Sequence, residues 1–364
     1  MIFRRARDVG SLLESRAFSA DPFPFYRQWR EKAPIHWLPR QKTWLVLGYE
    51  QVSWVLRHPQ DFSSSPFREN SPSLHGADPP DHTAFRRLLA PFFTRTAQLE
   101  ARERVEQIAA ALVAQLSHRK QFDVSQIAGA FPLRVACDWL GIDEKAAVEL
   151  QTVPILTLEW ERVAPMLCDG VIMSLHASGE FTDSQLAELT GFFLLAGVST
   201  ARDLIAFAIH TLLTQPGLSS SIQSGEASVA SFTDELLRFE PPVHTLSRVA
   251  NRNVTIGQVD VAAGSSIWIS LASANRDPQM FTDPDQFICG RAPSQHLSFG
   301  AGPHACLGSH LGRLEGEVML AALLPHLGHL RSHGKFPRIA FGGIAGGIPS
   351  MRRMSRWSLT LQPE

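Results

Sequence analysis

Between residues 297 and 308 the chain reads Leu-Ser-Phe-Gly-Ala-Gly-Pro-His-Ala-Cys-Leu-Gly, and an apolar-periodic run from Leu311 to Leu324 follows at once. No other stretch restricts the fold as much, because it demands a glycine-punctuated loop that carries one cysteine and opens onto a helix. Gly300, Gly302 and Gly308 allow positive φ, or an approach to a flat ligand that a side chain would block. Cys306 falls just ahead of the helix, where free N–H groups and the positive end of the dipole favour a thiolate over a thiol. The plainer alternative is a structural cysteine beside a Gly-rich turn.

The rest of the composition says what such a loop can be embedded in. With 364 residues, 44% hydrophobic and 19% charged, the chain can bury a large core and is expected to be ordered. A net charge of -1 gives no general attraction to nucleic acid or to an anionic membrane. The cysteines, Cys137, Cys168, Cys289 and Cys306, show no C-x-x-C spacing and no secreted-framework density, so a reduced cytoplasmic setting is expected. Met1-Ile2-Phe3-Arg4-Arg5 has no apolar h-region and no uninterrupted apolar run reaches spanning length, so no membrane anchor is expected.

Periodicity predicts helices over 26–32, 49–57, 99–116, 131–140, 186–213, 232–238 and 311–324, with a capped helix after Asp78-Pro79-Pro80-Asp81. Strands are predicted at 35–38 and 43–47, and around Gly257 and Gly264 between 254 and 269. Residues 63–80 read as a loop. The fold class is therefore mainly α with a small β-rich part (α+β), formed by residues 35–47 and 254–270 plus the C-terminal end. On the 186–213 helix, Ser199 and Asp203 share one face; on the helix after Asp81, His82 and Arg86 do.

Phe299, Gly300, Gly302, His304, Cys306 and Gly308 resemble the haem-binding signature of the cytochromes P450, soluble bacterial type. The resemblance runs through nearly the whole chain, 1–364, as one P450 domain, with haem b between the long central helix and the cysteine loop and Cys306 as its axial iron ligand. Such a thiolate pushes electron density onto the iron and favours O–O cleavage. It further implies that His82, Arg86, Arg248 and His296 hold the haem propionates beside His304, Phe299 and Gly308. Leu195-Ala196-Gly197-Val198-Ser199-Thr200-Ala201 is similar to the oxygen-activation segment of the family's central helix. There Gly197 leaves room for oxygen or substrate and Thr200 helps deliver protons, though a helix Thr also bonds back to the carbonyl one turn earlier.

The same resemblance makes Glu235 and Arg238 the Glu-x-x-Arg pair that buttresses the haem loop, a structural role. Phe192, Phe193, Leu195, Ala196, Val243, His244 and Thr245 become pocket-lining candidates, and the Gly342–Gly347 tip touches substrate unless it is an ordinary hairpin turn. Two departures stand out. Residues 151–178 offer room for about one helix where the family has two long helices and a lid. Ser199 stands where the family has Asp or Glu, and Asp203 is the one nearby substitute, more naturally paired or solvated.

The implied activity is O₂-dependent hydroxylation of a mostly apolar small molecule in a bacterial biosynthetic or catabolic pathway. Electrons would come from separate partners, a ferredoxin and ferredoxin reductase or their equivalent, and a carrier protein could present the substrate. Ser199 keeps open a non-standard haem-thiolate chemistry using peroxide, nitric oxide or oxidative coupling. The short lid keeps open a non-catalytic binding protein.

Overall fold

The long helix Asp183–Thr214 is the axis of the molecule. Thr182 starts it with a reciprocal cap: its hydroxyl accepts from the Gln185 N–H at 3.3 Å, and the Gln185 side chain accepts from the Thr182 N–H at 2.9 Å. Gln215-Pro216 ends it, since proline cannot continue the ladder. The computed structural model describes residues 9–68, 71–117, 121–291, 295–332, 339–345, 348–355 and 357–361. Gly346 and Gly347, in the predicted substrate-contacting tip, lie outside the described residues.

Two apolar clusters share this central helix. Beyond Thr200 its Leu204, Phe207 and Ile209 pack with Phe131 of the helix Val124–Leu140, Phe232 of Val229–Phe239 and Met319 of Ser309–Leu323. Before it, Leu186, Leu189 and Phe193 pack with Leu89, Phe93, Leu140 and Trp160. Each fully buried Leu or Phe adds roughly 1.5–3 kcal/mol, so the helix is held from both ends. By length and composition it would pass as a membrane span, but the core accounts for its apolarity.

A five-stranded sheet forms from β1 (Ile35–Leu38), β2 (Thr43–Val46), β3 (Phe62–Ser63), β4 (Thr245–Ala250) and β5 (Ser266–Ser270). Their spatial order is β1-β2-β5-β4-β3, with β2 and β5 parallel and the other pairs antiparallel. The sheet carries Arg248 on β4 inward and leaves the predicted 254–256 and 259–261 strands as a separate hairpin. A hairpin of β6 (Ile339–Ala345) and β7 (Ile348–Met354) closes against it, with Val243 bridging to Met351.

The predicted helix positions hold, most of them extended by a few residues at their starts: 26–32 begins at Phe23, 99–116 at Arg95 and 131–140 at Val124. Pro132 sits inside the last of these. Residues 151–178 hold two 3₁₀ turns, a four-residue helix Trp160–Val163 and one eight-residue helix Val171–Ser178. The segment is drawn tightly onto the central helix. A Cβ on Gly191 would lie 2.5 Å from Leu158 Cδ1, so a larger residue there would require that leucine to shift. Where two long lid helices were the family expectation, a short strap lies on the axis.

Candidate active site

The cysteine loop is a closed piece of hydrogen-bonded backbone. The Cys306 N–H donates to the Phe299 carbonyl at 2.7 Å, the Gly300 N–H to Leu297 at 2.8 Å, and the Ala305 N–H to Gly302 at 3.0 Å. Gly300 and Gly302 both have φ of +69, as the sequence required. At Gly302 a Cβ would come within 2.5 Å of the Leu56 carbonyl oxygen, so this turn is also pressed against the helix Tyr49–Arg57. Gly308 precedes the helix Ser309–Leu323, and its backbone hydrogen-bonds the Cys306 thiol.

One expectation is corrected at the sulfur itself. Burial pushes the Cys306 thiol above its ordinary 9.0, although the Gly308 backbone and the charges of Arg86 and Arg313 pull the other way. The helix start alone does not make a thiolate here. A metal ion would, since coordination deprotonates a thiol outright. Cys306 is nevertheless exposed.

The loop is braced from outside by the pair predicted for that task. Arg238 Nε and Nη2 donate to both carboxylate oxygens of Glu235 at 2.8 and 2.7 Å. Arg238 then reaches the carbonyls of Asn275, Pro284 and Gln286 at 2.8–2.9 Å. Two members of this brace were not anticipated. Arg291 donates to Glu235 at 2.9 Å, and Asn275 accepts from the Leu297 N–H at 2.6 Å while donating to Ser298 at 2.8 Å. They lie 56 and 22 residues from their partners, where no helical or strand period links them.

On the other side of the loop, two arginines and two histidines gather. His82 and His304 stack with ring centroids 3.8 Å apart, and His82 Nδ1 and His304 Nε2 are buried without a partner among the described residues. Arg248 is 4% exposed and, among the described residues, bonds only the Ser247 carbonyl. Burial, aided by neighbouring charges, lowers His82 to about 4 and His304 to about 2; burial lowers Arg248 to about 10 and brings Arg86 down as well. Asp78 faces this group, but its oxygens already serve Ser63 and the Ser64 N–H at 2.5 and 2.8 Å.

Unpartnered buried nitrogens on two histidines, beside the buried guanidinium of Arg248 and the half-buried one of Arg86, call for carboxylates from outside the chain. The two propionates of a haem fit that demand, with Cys306 on the adjoining loop to ligate its iron.

His296 does not join them. Its Nε2 lies 3.2 Å from Asp234 and its Nδ1 accepts the Ser298 N–H at 3.2 Å, so both nitrogens are used on the proximal side, beside Arg313. Phe299 is there too, with the Arg313 guanidinium 4.6 Å from its ring.

On the central helix, Thr200 Oγ1 donates to the Ala196 carbonyl at 2.9 Å, the local bond foreseen for it. A Cβ on Gly197 would meet nothing within 4 Å, so open space flanks that position. Ser199 is half-buried. Asp203 is buried and tied to Arg202 at 3.0 Å and to Arg353 at 3.7 Å. Burial raises its carboxyl despite those partners.

The pocket candidates divide. Phe192 lies at the edge of the space, its ring 5.6 Å from that of His75, with half-buried Ala196 and exposed Leu195 one turn on. Phe193 turns the other way and packs on Phe93 and Trp139, each at 5.5 Å. His244 is enclosed by Phe23, Tyr26 and Phe341 and faces Glu240 at 3.6 Å. Thr245 bonds toward Tyr26. These three are corrected from pocket to core, because helix and strand orientation rather than position along the chain decides which way each points.

Hydrogen-bonded cysteine loop, carboxylate-seeking cradle and threonine-bearing axial helix define a haem-thiolate oxidoreductase. The comparisons narrow this to one family. The family profile "Cytochrome P450" matches residues 229–344. The 6-deoxyerythronolide B hydroxylase of Saccharopolyspora erythraea is 30% identical over an alignment covering 91% of this chain and 92% of that protein.

The crystal structure of CYP109E1 from Bacillus megaterium, in complex with testosterone, superposes with a TM-score of 0.84 at 23% identity, covering 96% of this chain and 100% of that one. P450BioI in complex with an acyl carrier protein bearing hexadec-9Z-enoic acid gives 0.84 at 24%, covering 95% and 100%. The chain belongs to the cytochrome P450 family and is an oxidoreductase of its monooxygenase class.

Proposed function

We propose that this chain hydroxylates a mostly apolar small molecule, using haem b held by Cys306 and electrons from a ferredoxin and its reductase. The observation that carries the reading is the convergence of Cys306 with Arg86, Arg248, His82 and His304, where one buried nitrogen on each histidine has no partner among the described residues. The whole chain, 1–364, acts as one domain in this reading, in the cytoplasm of a bacterium.

Each residue has a defined part. Cys306 is held by the Phe299 carbonyl and the Gly308 backbone, which fix the sulfur and moderate its charge. The two arginines and two histidines orient the cofactor through its carboxylates. Haem, when bound, supplies the redox chemistry: one atom of O₂ enters a C–H bond, the other leaves as water, and two electrons and two protons are consumed. Thr200 keeps its hydroxyl proton on the Ala196 carbonyl, so its oxygen is free to accept a hydrogen bond from water beside Gly197. Phe192 and Ala196 give the space an apolar wall, and the strap at 151–178 leaves it less covered than a long lid would. That openness suits a substrate presented on a carrier protein, and P450BioI has been crystallised in complex with an acyl-loaded carrier protein.

The test is the reduced, carbon-monoxide-bound difference spectrum of the purified protein beside Cys306→Ser. A strongly red-shifted Soret band in the parent alone is expected. A band typical of histidine ligation, or no haem, overturns the reading and favours a binding protein.

One observation favours a second chemistry. Ser199 has no acidic proton to give, and Asp203 is occupied by two arginines. A peroxide-driven reaction does not need that delivery. Ser199→Asp separates the two: a large gain in O₂-driven turnover supports the weakened monooxygenase, and no gain supports peroxide use.

A further inference from the structure

The cradle has one more member than the two arginines and two histidines that the motif accounts for. His75 belongs to the loop between β3 and the helix Asp81–Leu89, and nothing in the sequence marked it. Its ring stacks on Phe67 at 4.2 Å and lies 5.6 Å from Phe192 of the central helix. Its Nδ1 is buried and has no hydrogen-bond partner among the described residues. Arg248 and the titratable His82 are near enough to act on it, and His304 in turn feels His75. Phe67 also carries the Arg248 guanidinium, 5.9 Å from its ring. His75 is thus built into the wall that joins the carboxylate cradle to the apolar side of the pocket.

The loop that presents it is firmly placed. Ser71 Oγ and Ser73 Oγ donate to Glu188 of the central helix at 2.5 and 2.8 Å, and the Ser73 N–H adds a third bond at 3.1 Å. The Gly76 N–H returns to the Ser71 carbonyl at 2.7 Å. A Cβ on Gly76 would come within 2.4 Å of the Arg68 nitrogen, so glycine lets the loop fold back on residues 67–68. That fold lays the imidazole on Phe67. A stacked, immobilised ring with an unpartnered buried nitrogen costs free energy unless something accepts from it.

We propose that His75 is a further binding residue that donates a ring N–H to a carboxylate of the bound haem, tying the substrate-side loop 71–77 to the cofactor. The donor is a neutral imidazole: burial lowers it to about 4, so at neutral pH it supplies a hydrogen bond without adding charge. Arg86 and Arg248 already balance two carboxylates, and a neutral donor is what such a site still accommodates. The same chemistry would suit a carboxylate on a substrate. The haem is favoured because His75 shares its surroundings with Arg248, His82 and His304. The proposal rests on the haem-thiolate reading above.

The experiment compares haem-loaded parent, His75→Phe and His75→Gln for the rate of haem transfer to excess apomyoglobin and for proteolysis of loop 71–77. Phe keeps the stack on Phe67 and removes the donor; Gln restores a donor. About tenfold faster haem loss and earlier cleavage in His75→Phe, largely recovered in His75→Gln, are expected for one buried charge-assisted hydrogen bond.

A long-chain fatty acid is titrated into each by its spectral shift, against the matching alcohol. Weakening confined to the acid, with haem loss unchanged, would move the carboxylate to the substrate and overturn the haem assignment. Unchanged haem loss, proteolysis and titration overturn the donor role altogether. A parent that binds no haem overturns the underlying reading, and is seen before any variant is compared.

Discussion

Glu315 is 3% exposed in the helix that follows Cys306, and burial raises its carboxyl well above the ordinary 4.5. The unfolded chain gives up this proton near 4.5, whereas the folded chain keeps it to higher pH. Its contribution is therefore fully present below about 4.5 and is lost as pH rises through the folded value. Glu315→Gln mimics the protonated acid. Its melting temperature should exceed that of the parent by a margin that grows between pH 5 and 8, and a margin independent of pH would contradict this. Gly302 sets the opposite case, since φ of +69 and the Leu56 carbonyl both refuse a side chain. Gly302→Ala is expected to cost about 2–3 kcal/mol in urea unfolding. That cost was half legible: the motif required a glycine, but only the neighbouring helix end shows the contact.

At the scale of elements, the helix Val229–Phe239 and the cysteine loop are joined through Glu235 and Arg238, both buried. Glu235→Ala leaves Arg238 buried and Arg291 without its carboxylate. A loss of about 3–5 kcal/mol is expected, with soluble yield falling in parallel; a loss under about 1 kcal/mol in urea unfolding would show the pair to be replaceable. The i, i+3 spacing of this pair could be read directly, because a helix places those side chains together. Its partners could not, because Asn275 and Arg291 reach it through turns with no periodic signal. The same limit explains His244 and Thr245, which precede or open β4 but turn toward Tyr26 and Phe23.

For the whole molecule, binding and folding oppose one another at the cradle. Arg248 is buried with one carbonyl partner among the described residues, and Asp78, already hydrogen-bonded to Ser63 and Ser64, offsets only part of its desolvation in the ligand-free fold. Arg248→Leu is expected to raise the stability of the haem-free protein by about 1–3 kcal/mol while weakening haem retention. Calorimetry of both forms checks the two signs: a variant that destabilises both would show Arg248 to be a packing residue. In the parent, haem should raise the melting temperature in proportion to its affinity, since it binds the folded state alone.

Local chemistry settled in advance whatever depends on neighbours in sequence. The glycine–cysteine loop, the caps, the Glu235–Arg238 spacing and the reduced 151–178 segment follow from short-range geometry that every copy of the sequence must obey. Direction and company were decided only by tertiary structure. Phe193 faces the core although Phe192 faces the pocket, His296 is consumed by Asp234 and Ser298, and Asp203 is locked by Arg353 from β7. His75 joined the cradle through contacts with Phe67, Phe192 and Arg248. Such contacts join distant parts of the chain, and their energies depend on burial, which no local pattern records.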